Sequence, residues 1–478
     1  MSRLNRLVRT VVVGAVGVSM ASCGRAAADP RMVSEWMHTL YGVVRVERLS
    51  PPVGSRLMAY ASAALYSGMS AVNPRMKPLT GLKAFPTLPA SDNASYDEII
   101  SAVAAERVVV DSMFSDGLPT SRATLSRLAD SLLKDRDLHV TTDVAGRSRD
   151  IGTKVGLAIV AWAHGDGFDS TRGKKYVPPV GTGLWVNDSP SPTFSTTNIS
   201  GVSSAIENND PGNSKRQQVG DRALILSPPK RGGTTMPGVN MAGITEPYWG
   251  YLRPFVLVKW DECPAAASPM YGTTPGTPLY DQAMMVYDTR KALTPEQKTI
   301  ALYWADNPGE SGTPAGHWLS IGAQVVSERK LSGEDAARVM VATSISLADA
   351  FIASWGYKFK INLIRPRTYI RQVMDSTWEP AIPTPPFPEY LSGHSTVSSA
   401  AATALTALLG AAPFDDSTSV FVGHSVRRFD SFRAAADKAG LSRIYGGIHY
   451  PIANTAGQDL GRCVGGKVIE RLGAAVRP

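Results

Sequence analysis

Two stretches of the sequence, residues 355–394 and 442–449, carry the charged and titratable side chains that most constrain the fold. In chain order these residues are Lys358, Arg365, Ser392, Gly393, His394, Arg443 and His449. Three fixed positive charges, a hydroxyl, a glycine amide and two imidazoles form a set of groups suited to a tetrahedral oxyanion. A fold that uses them must bring two distant parts of the chain to one place.

The first two cations fall in a helix-compatible run, residues 348–364. Lys358 and Arg365 are seven residues apart, about two helical turns, so the spacing predicts that both side chains leave one face. Pro366 disfavours the α conformation at Arg365 and predicts that the helix ends there. We therefore expect two cations near a helix C-terminus, where positive charge is favourable.

A proline-rich arm at residues 383–388 follows, too stiff and too poor in donors for a helix or a central strand. It leads to Ser392 and Gly393, which are predicted to open a helix that runs to about Leu409. Amide groups at a helix N-terminus attract anions, and glycine lets an anion approach the backbone closely. The sequence therefore predicts an anion-binding helix start after the arm.

The second stretch requires a turn. Arg443 and His449 are six residues apart, which on a straight helix would place them about 240° from each other. They can meet at one ligand only if the chain turns between them, and Gly446 and Gly447 permit that turn. A last helix is predicted over about residues 455–473.

The spacing of these residues resembles a known signature, in which Lys, six residues and Arg-Pro precede Ser-Gly-His and then Ser-Arg, five residues and His. This signature is shared by the vanadium-dependent haloperoxidases, the type-2 phosphatidic acid phosphatases and the bacterial acid phosphatases. The chain resembles the bacterial haloperoxidase-like branch of this superfamily. The resemblance implies an all-α fold, a helical bundle of this type with long irregular loops.

The resemblance also implies how the oxyanion would be held. Lys358, Arg365 and Arg443 would neutralise its oxygens. The Ser392 hydroxyl and the Gly393 amide would donate hydrogen bonds to them. These five residues, with His449, are the predicted cofactor-binding set.

Proton transfer and axial ligation fall to the two imidazoles in the same resemblance. His394 would act as the acid or base, and His449 would be the axial group, a ligand to vanadium in the haloperoxidases and the nucleophile in the phosphatases. Lys358 and Asp306 complete the predicted catalytic set. Asp306 is a candidate partner for Arg443.

One site can serve both chemistries because vanadate copies the charge and shape of phosphate. The leading interpretation is a haloperoxidase that uses vanadate to activate hydrogen peroxide toward a halide, giving hypohalous acid, with an organic acceptor as a further candidate substrate. The alternatives are a phosphomonoesterase, with a phosphate ester as substrate and no cofactor, and a non-catalytic oxyanion-binding envelope protein. The sequence leaves halide preference and oligomeric state open.

Aromatic residues favour the haloperoxidase interpretation. Trp355 and Phe387 occupy positions that line the halide side of fungal-type chloroperoxidases, and a weakly hydrated halide suits such a pocket. Segments 303–309 and 313–318 are similar to the longer bacterial haloperoxidase-like chains. His317, within the second segment, is interpreted as a structural histidine.

One position departs from the family pattern. An Asp commonly stands four residues after the axial histidine, whereas this chain has Ala453. A carboxylate there would orient the imidazole, as in a catalytic triad. Its absence weakens a phosphohistidine mechanism more than simple vanadate ligation, and Asp459 or a backbone carbonyl is a candidate substitute.

The N-terminus predicts export. Residues 1–28 combine three early arginines, a short apolar run and small residues, a pattern typical of a signal peptide. Residues 20–23 also resemble a lipobox, which makes Cys23 a candidate lipid anchor, with ordinary cleavage near Ala28 as the alternative. A periplasmic, envelope-anchored or secreted location follows from either.

Charge excludes one class of partner. Four of the arginines and no acidic residue lie in the predicted signal, so the net charge of +8 becomes 8 − 4 = +4 for the mature chain. No cluster of basic residues is present, so nucleic-acid binding is not expected. Cys263 and Cys463 are 200 residues apart, and their pairing cannot be deduced from sequence.

The chain divides into a predicted N-terminal helical region, 29–290, and a catalytic helical region, 291–478. A Gly, Pro and Ser-rich loop is predicted at about 165–247, and the family resemblance is firm only over about 301–472. Predicted helices cover 53–70, 96–114, 121–134, 144–164, 278–287, 295–304, 317–329 and 333–360. Capping signals at Thr294 and Ser332 support two of these starts.

Overall fold

A computed structural model of the chain describes residues 29–172, 174–188 and 244–476. The predicted export signal, with Cys23 and Ala28, lies outside the described residues, as does most of the predicted loop at 165–247. The described part is built almost entirely from helices, so the all-α prediction is confirmed.

The helices, numbered in chain order, are α1 (Arg31–Val46), α2 (Pro51–Ser70), α3 (Glu98–Met113), α4 (Pro119–Asp137), α5 (Thr142–His164), α6 (Phe168–Thr171), α7 (Pro278–Lys291), α8 (Pro295–Tyr303), α9 (Thr313–Glu328), α10 (Gly333–Ile361), α11 (Pro366–Val373), α12 (Gly393–Leu409), α13 (Phe432–Tyr445) and α14 (Pro451–Leu472). A two-stranded antiparallel sheet joins β1 (Phe414–Asp416) to β2 (Arg427–Phe429). Helices α1, α6, α11 and α13 were not predicted, and α6 falls within the predicted loop, whereas the other helices lie within a few residues of the predicted spans.

Helix α10 forms the centre of the bundle and packs against α2, α9, α12 and α14. It is long and apolar enough to cross a membrane by length and composition, but 94% of its most apolar window is buried inside the protein. Buried residues from α1 through α14 belong to one hydrophobic cluster. The two predicted regions therefore share a core.

Glycines at every fourth position bring α14 close to α12. A Cβ atom added to Gly461 would lie 2.1 Å from the Thr396 carbonyl oxygen, and one added to Gly457 would lie 2.7 Å from the Ser392 carbonyl oxygen. A side chain at either position would push the helices apart. This close contact positions the start of α12 beside the start of α14.

The structure corrects one prediction about the first two cations. Helix α10 ends at Ile361, where Asn362 adopts a left-handed conformation with φ of 53°. Arg365 is extended, as Pro366 predicts, but it precedes α11 instead of ending α10. Lys358 and Arg365 therefore do not share a helix face, because a left-handed residue and an extended turn redirect the chain between them.

The two capping predictions and the turn are confirmed. Thr294 forms a full capping box with Gln297, and the Ser332 hydroxyl accepts the Asp335 amide. Helix α13 ends at Tyr445, and Gly447 has φ of 76°, which lets the chain turn before His449. A disulfide also joins Cys263 to Cys463 on α14, with a Cα–Cα distance of 5.9 Å.

Candidate oxyanion site

The fold brings the predicted site residues together around one position between helix ends. The contributing segments are the last turn of α10 (Lys358), the start of α11 (Arg365), the start of α12 (Ser392, Gly393, His394), α13 (Arg443) and the turn before α14 (His449). All are buried except His394, which is half-buried. Access from solvent is therefore on the His394 side.

Lys358 is fully buried and points toward the arm that precedes α12. Its Nζ atom donates to the carbonyl oxygens of Pro388 at 3.1 Å and Glu389 at 2.9 Å, and also to that of Leu391. Burial, with Arg365 nearby, lowers the pKa of Lys358 well below its ordinary value. Because its donors bind backbone carbonyls, Lys358 fixes the arm and offers an oxyanion chiefly its charge.

Arg365 lies on the opposite side of the arm. Its Nε donates to the Phe387 carbonyl oxygen at 2.9 Å, and Nη1 donates to the Ile448 carbonyl oxygen at 2.8 Å. Nη1 also lies 3.3 Å from His449 Nε2. The guanidinium thus links the proline-rich arm to the turn that carries His449. Its Nη2 is buried and has no hydrogen-bond partner among the described residues.

The residue that directly follows the arm supplies a carboxylate that sequence reasoning missed. Glu389 is fully buried, and its Oε1 lies 2.8 Å from His449 Nδ1 and accepts the Tyr450 amide at 2.9 Å. It takes the orienting role considered for Asp459, which lies on an exposed face of α14 and pairs with Arg462. The substitution prediction for Asp459 is therefore wrong.

Glu389 determines which nitrogen of His449 faces the open position. Oε1 already accepts an amide hydrogen, so the ring donates from Nδ1 and keeps its lone pair on Nε2. Burial lowers the pKa of His449 well below its ordinary value, and the nearby cations lower it further, so the ring is neutral. Burial raises the pKa of Glu389 to about 7, and Arg365 and Lys358 oppose that rise.

The start of α12 supplies amides, as predicted. Ser392 is the residue before the helix, and its Oγ accepts the Ser395 amide at 3.4 Å and lies 2.7 Å from Ser395 Oγ. A Cβ at Gly393 would lie 3.3 Å from the Trp355 ring and 3.8 Å from Lys358 Cε. Glycine therefore leaves open the space that an anion would need beside the helix N-terminus.

Arg443 and His394 border the segment that follows α8. Arg443 Nη1 donates to the Trp304 carbonyl oxygen at 2.9 Å, and the His394 ring bonds to the Ala305 backbone. Burial lowers the pKa of Arg443 to about 9, and burial with the Arg443 charge lowers the pKa of His394 well below its ordinary value. His394 is therefore neutral in the absence of an anion.

Asp306 does not pair with Arg443 as predicted. Its carboxylate lies 3.0 and 3.2 Å from His317 Nδ1, and no ion pair joins it to Arg443 within the described residues. Its negative charge still raises the pKa of Arg443 against the effect of burial. The acid acts on the cation through space, because the histidine holds it on the other side of the Trp304 backbone.

Four buried polar atoms of the described site residues have no hydrogen-bond partner: Arg365 Nη2, Arg443 Nε, His394 Nε2 and Glu389 Oε2. The site also holds three cationic side chains and one carboxylate, Glu389. Buried groups of this kind are ordinarily paired. A tetrahedral oxyanion would satisfy both the unpaired donors and the excess positive charge, so vanadate or phosphate fits the residues present.

Two aromatic rings border the cations. The Trp355 and Phe387 ring centroids are 5.0 Å apart, and Trp355 donates its indole N–H to the Thr245 carbonyl oxygen at 3.1 Å. The Phe387 ring lies 5.1 Å from Lys358 Nζ and 4.9 Å from Arg365 Cζ. This places a polarizable, apolar wall beside the positive charges, as the predicted halide pocket requires.

The sequence contained one usable signal for Glu389. It directly follows the arm, three positions before Ser392, and an acidic residue between two cation-bearing segments indicates a pairing with one of them. Its partner could not be chosen from spacing alone, because His449 lies 60 residues away. The bend that brings them together depends on the contacts of Lys358 and Arg365 with arm carbonyls.

Comparison with known proteins identifies similar chains. Residues 338–478 match the family described as the VCPO second helical-bundle domain. The crystal structure of a bacterial vanadium-dependent iodoperoxidase aligns with 94% of this chain and 97% of its own, at 29% identity and a TM-score of 0.75.

Two crystal structures of a bacterial vanadium-dependent chloroperoxidase, holo and apo, align at 15% identity and TM-scores of 0.61. The alignments cover 91% and 90% of this chain, and 94% and 96% of theirs. At that identity they share the fold. No curated protein matches the sequence.

Proposed function

Because the chain belongs to the vanadium haloperoxidase superfamily, we propose that it is a vanadium-dependent haloperoxidase that oxidises halide with hydrogen peroxide. The balanced reaction is H2O2 + X⁻ + H⁺ → HOX + H2O. The observation that carries the proposal is the neutral His449, whose Nε2 lies 3.3 Å from Arg365 Nη1 with Lys358 and Arg443 nearby, while Glu389 holds Nδ1. When bound there, vanadate supplies Lewis-acid activation of peroxide.

The chain's own residues divide the remaining work. Lys358, Arg365 and Arg443 are buried, and they offset the negative charge of the oxyanion where charge interactions are stronger than in water. The Gly393 amide adds the positive end of α12. Each of these groups is held by backbone carbonyls or packing, so no reorganisation is needed when the oxyanion binds.

His394 is suited to move the protons that the reaction needs. Its Nε2 is unpaired, its ring is held at the other side by the Ala305 backbone, and it lies on the accessible side of the site. The low pKa of the ring makes it a base before anion binding. An added negative charge favours its protonated form, so the same ring can then act as an acid.

Iodide is the halide that we expect to be oxidised most readily, since it is more easily oxidised than bromide or chloride. The structure that is 29% identical to this chain is also an iodoperoxidase. The Trp355 and Phe387 rings give a weakly hydrated halide a place beside the cations. Peroxide, halide and, as a candidate, an organic acceptor are the proposed small-molecule substrates.

A phosphomonoesterase is the second candidate, and Glu389 is the observation that favours it. The loss of the usual Asp at Ala453 weakens a histidine nucleophile, but the Glu389–His449 pair restores a carboxylate at Nδ1. That arrangement orients an imidazole for attack on phosphorus as well as for vanadate ligation. Sequence and geometry alone therefore support both activities at one site.

Assays of the purified chain separate the candidates. We expect peroxide-dependent oxidation of iodide that requires added vanadate, with bromide and chloride tested side by side, and inhibition by phosphate. Hydrolysis of a chromogenic phosphate ester, inhibited by vanadate, with no halide oxidation would overturn the proposal in favour of the phosphatase. Oxyanion binding without either turnover would identify a non-catalytic binding protein.

Export is proposed as the setting of this activity. A signal over residues 1–28, with Cys23 as candidate lipid anchor, would place the chain in the periplasm, on the outer envelope or outside the cell. The Cys263–Cys463 disulfide supports an oxidising compartment. The mass and first residue of the mature protein test this, since lipidation leaves Cys23 as the modified N-terminus.

A further inference from the structure

Three consecutive residues after α8 link the oxyanion site to a second buried charged cluster. The Trp304 carbonyl oxygen accepts Arg443 Nη1 at 2.9 Å. The backbone of Ala305 bonds to the His394 ring. One cation and the candidate acid or base are therefore aimed by two adjacent peptide groups of this turn.

The second cluster begins at the third residue of the turn. His317, on α9, is 1% exposed and lies between Asp306, 3.0 Å from Nδ1, and Asp416, 3.0 Å from Nε2. Because each ring nitrogen faces a carboxylate, both are donors and the ring is an imidazolium. The two carboxylates raise the pKa of His317 to about 10 despite burial.

Packing and backbone geometry concentrate on the same turn. The His317 ring stacks on Trp304 with centroids 4.6 Å apart and planes 21° from parallel. Asp306 has φ of 48°, in the left-handed region that residues other than glycine seldom adopt. A conformation of that kind persists only when its surroundings hold it, and here the carboxylate of the strained residue is bound to His317.

We infer that His317, clamped between Asp306 and Asp416, is a positioning residue that fixes the turn 304–306 and thereby aims Arg443 and His394 at the bound oxyanion. The inference rests on the proposed function, because it assigns the role of that site's supporting residues. His317 touches neither the oxyanion position nor His449. Its effect passes through the two backbone groups at Trp304 and Ala305.

The test compares His317→Gln and Asp416→Asn with the unaltered chain in two measurements made without halide or peroxide. Isothermal titration calorimetry measures vanadate affinity, and amide hydrogen exchange measures protection of residues 303–307 in the absence of vanadate. Loss of supporting groups around an oxyanion or metal site typically costs about 10- to 100-fold in affinity. We expect that loss for His317→Gln, a smaller one for Asp416→Asn, and faster exchange in the turn for both.

A matched control separates positioning from general destabilisation. Asp166→Asn breaks the buried Arg56–Asp166 ion pair, whose carboxylate also accepts from Tyr60 and from the Phe168 amide and bonds to no residue of the turn 304–306. It should lower the melting temperature but leave vanadate affinity unchanged.

The outcomes are distinct. If His317→Gln folds, exchanges faster in the turn and binds vanadate as tightly as the unaltered chain, the positioning role is overturned. If His317→Gln does not fold, the comparison of Asp416→Asn with Asp166→Asn decides, and equal affinities would overturn the inference. Vanadate binding without halide oxidation in the unaltered chain would contradict the proposed function and leave this test intact.

Discussion

Two buried charged clusters lie on opposite sides of the turn 304–306, and they differ in how their charge is balanced. The cluster around His317 has one imidazolium between two carboxylates, and each ring nitrogen has a partner. The oxyanion site around His449 has three cationic side chains and one carboxylate, and four of its polar atoms are unpaired among the described residues.

This difference indicates that the His317 cluster has a structural role and that the site around His449 binds a ligand. Buried charged groups that belong to the fold are ordinarily paired with each other, as His317 is with Asp306 and Asp416, because an unpaired buried charge is strongly destabilising. A surplus of cations with free donors is therefore evidence that a ligand completes the site. In this chain that surplus lies at the oxyanion site. The neighbouring His317 cluster holds the turn 304–306, to which Arg443 and His394 bond.

The largest expected effect removes the group at the centre of the uncompensated site. His449→Ala should lower vanadate-dependent iodide oxidation by at least about 1000-fold, because His449 is the neutral ring of the described site whose Nδ1 is held by a carboxylate and whose Nε2 keeps its lone pair. Initial rates at saturating vanadate measure it. Substantial activity in His449→Ala would contradict the contrast between the two clusters, since the unpaired atoms would then not mark the reactive position.

The next effect tests the one carboxylate in the cationic site. Glu389→Gln keeps the shape of the side chain but removes its charge and weakens its hold on His449 Nδ1. We expect a loss of about 10- to 100-fold in vanadate affinity, measured by calorimetry. Asp459→Asn, on the exposed face of α14, is the control and should bind vanadate normally. Equal affinities for both variants would remove Glu389 from the site.

A third effect concerns the His317 cluster, which should make the stability of the folded chain depend on pH. The pKa of His317 is raised from 6.5 to about 10, so the folded chain holds this proton more tightly than the unfolded chain. The resulting stability is fully present below about pH 6.5 and is lost as the pH rises through about 10.

We therefore expect the free energy of unfolding to fall by at least about 2 kcal/mol between pH 6.5 and 10. Urea denaturation at several pH values measures this, with Tyr303 and Asp416 as the titratable neighbours of the ring. His317→Gln should flatten the decline. If the free energy of unfolding fell equally steeply with pH in this variant, other groups would cause the pH dependence, and His317 would not be held as an imidazolium by Asp306 and Asp416.

The smallest effect concerns the wall of the site. Phe387→Leu removes an aromatic ring that lies 5.1 Å from Lys358 Nζ but supplies no hydrogen bond to an oxyanion. We expect a few-fold rise in the KM for halide with vanadate affinity unchanged. Phe414→Leu, in the small sheet, serves as a comparison of similar burial. A change in vanadate affinity instead would assign Phe387 to the oxyanion cradle.

Most of the helices and the main residues of the site could be predicted from the sequence, because the strongest sequence signals are local. Helix caps at Thr294 and Ser332 and the glycine turn after α13 depend on neighbours within a few residues, and the structure has each of them. The signature residues converge as the family resemblance implies, although the helical spacing of Lys358 and Arg365 did not predict how they do so. The caps and the turn follow from short-range geometry, which a sequence states directly.

The parts that could not be predicted are long-range pairings. Glu389 finds His449 across 60 residues, and Asp416 finds His317 across 99. The error at Arg365 arose where Asn362 adopts a left-handed conformation, which no helical spacing rule anticipates. Asp306 was correctly placed near the site, but its partner was decided by the strained turn that carries it.

A structure determined from crystals soaked in vanadate tests the central claim most directly. The account predicts one vanadate per chain, attached at His449 Nε2 and contacted by Arg365 Nη2, Arg443 Nε and the Gly393 amide, with the His317 cluster free of ligand. Vanadate bound elsewhere, or a His449 ring turned away from Glu389 with its Nε2 unligated, would contradict it.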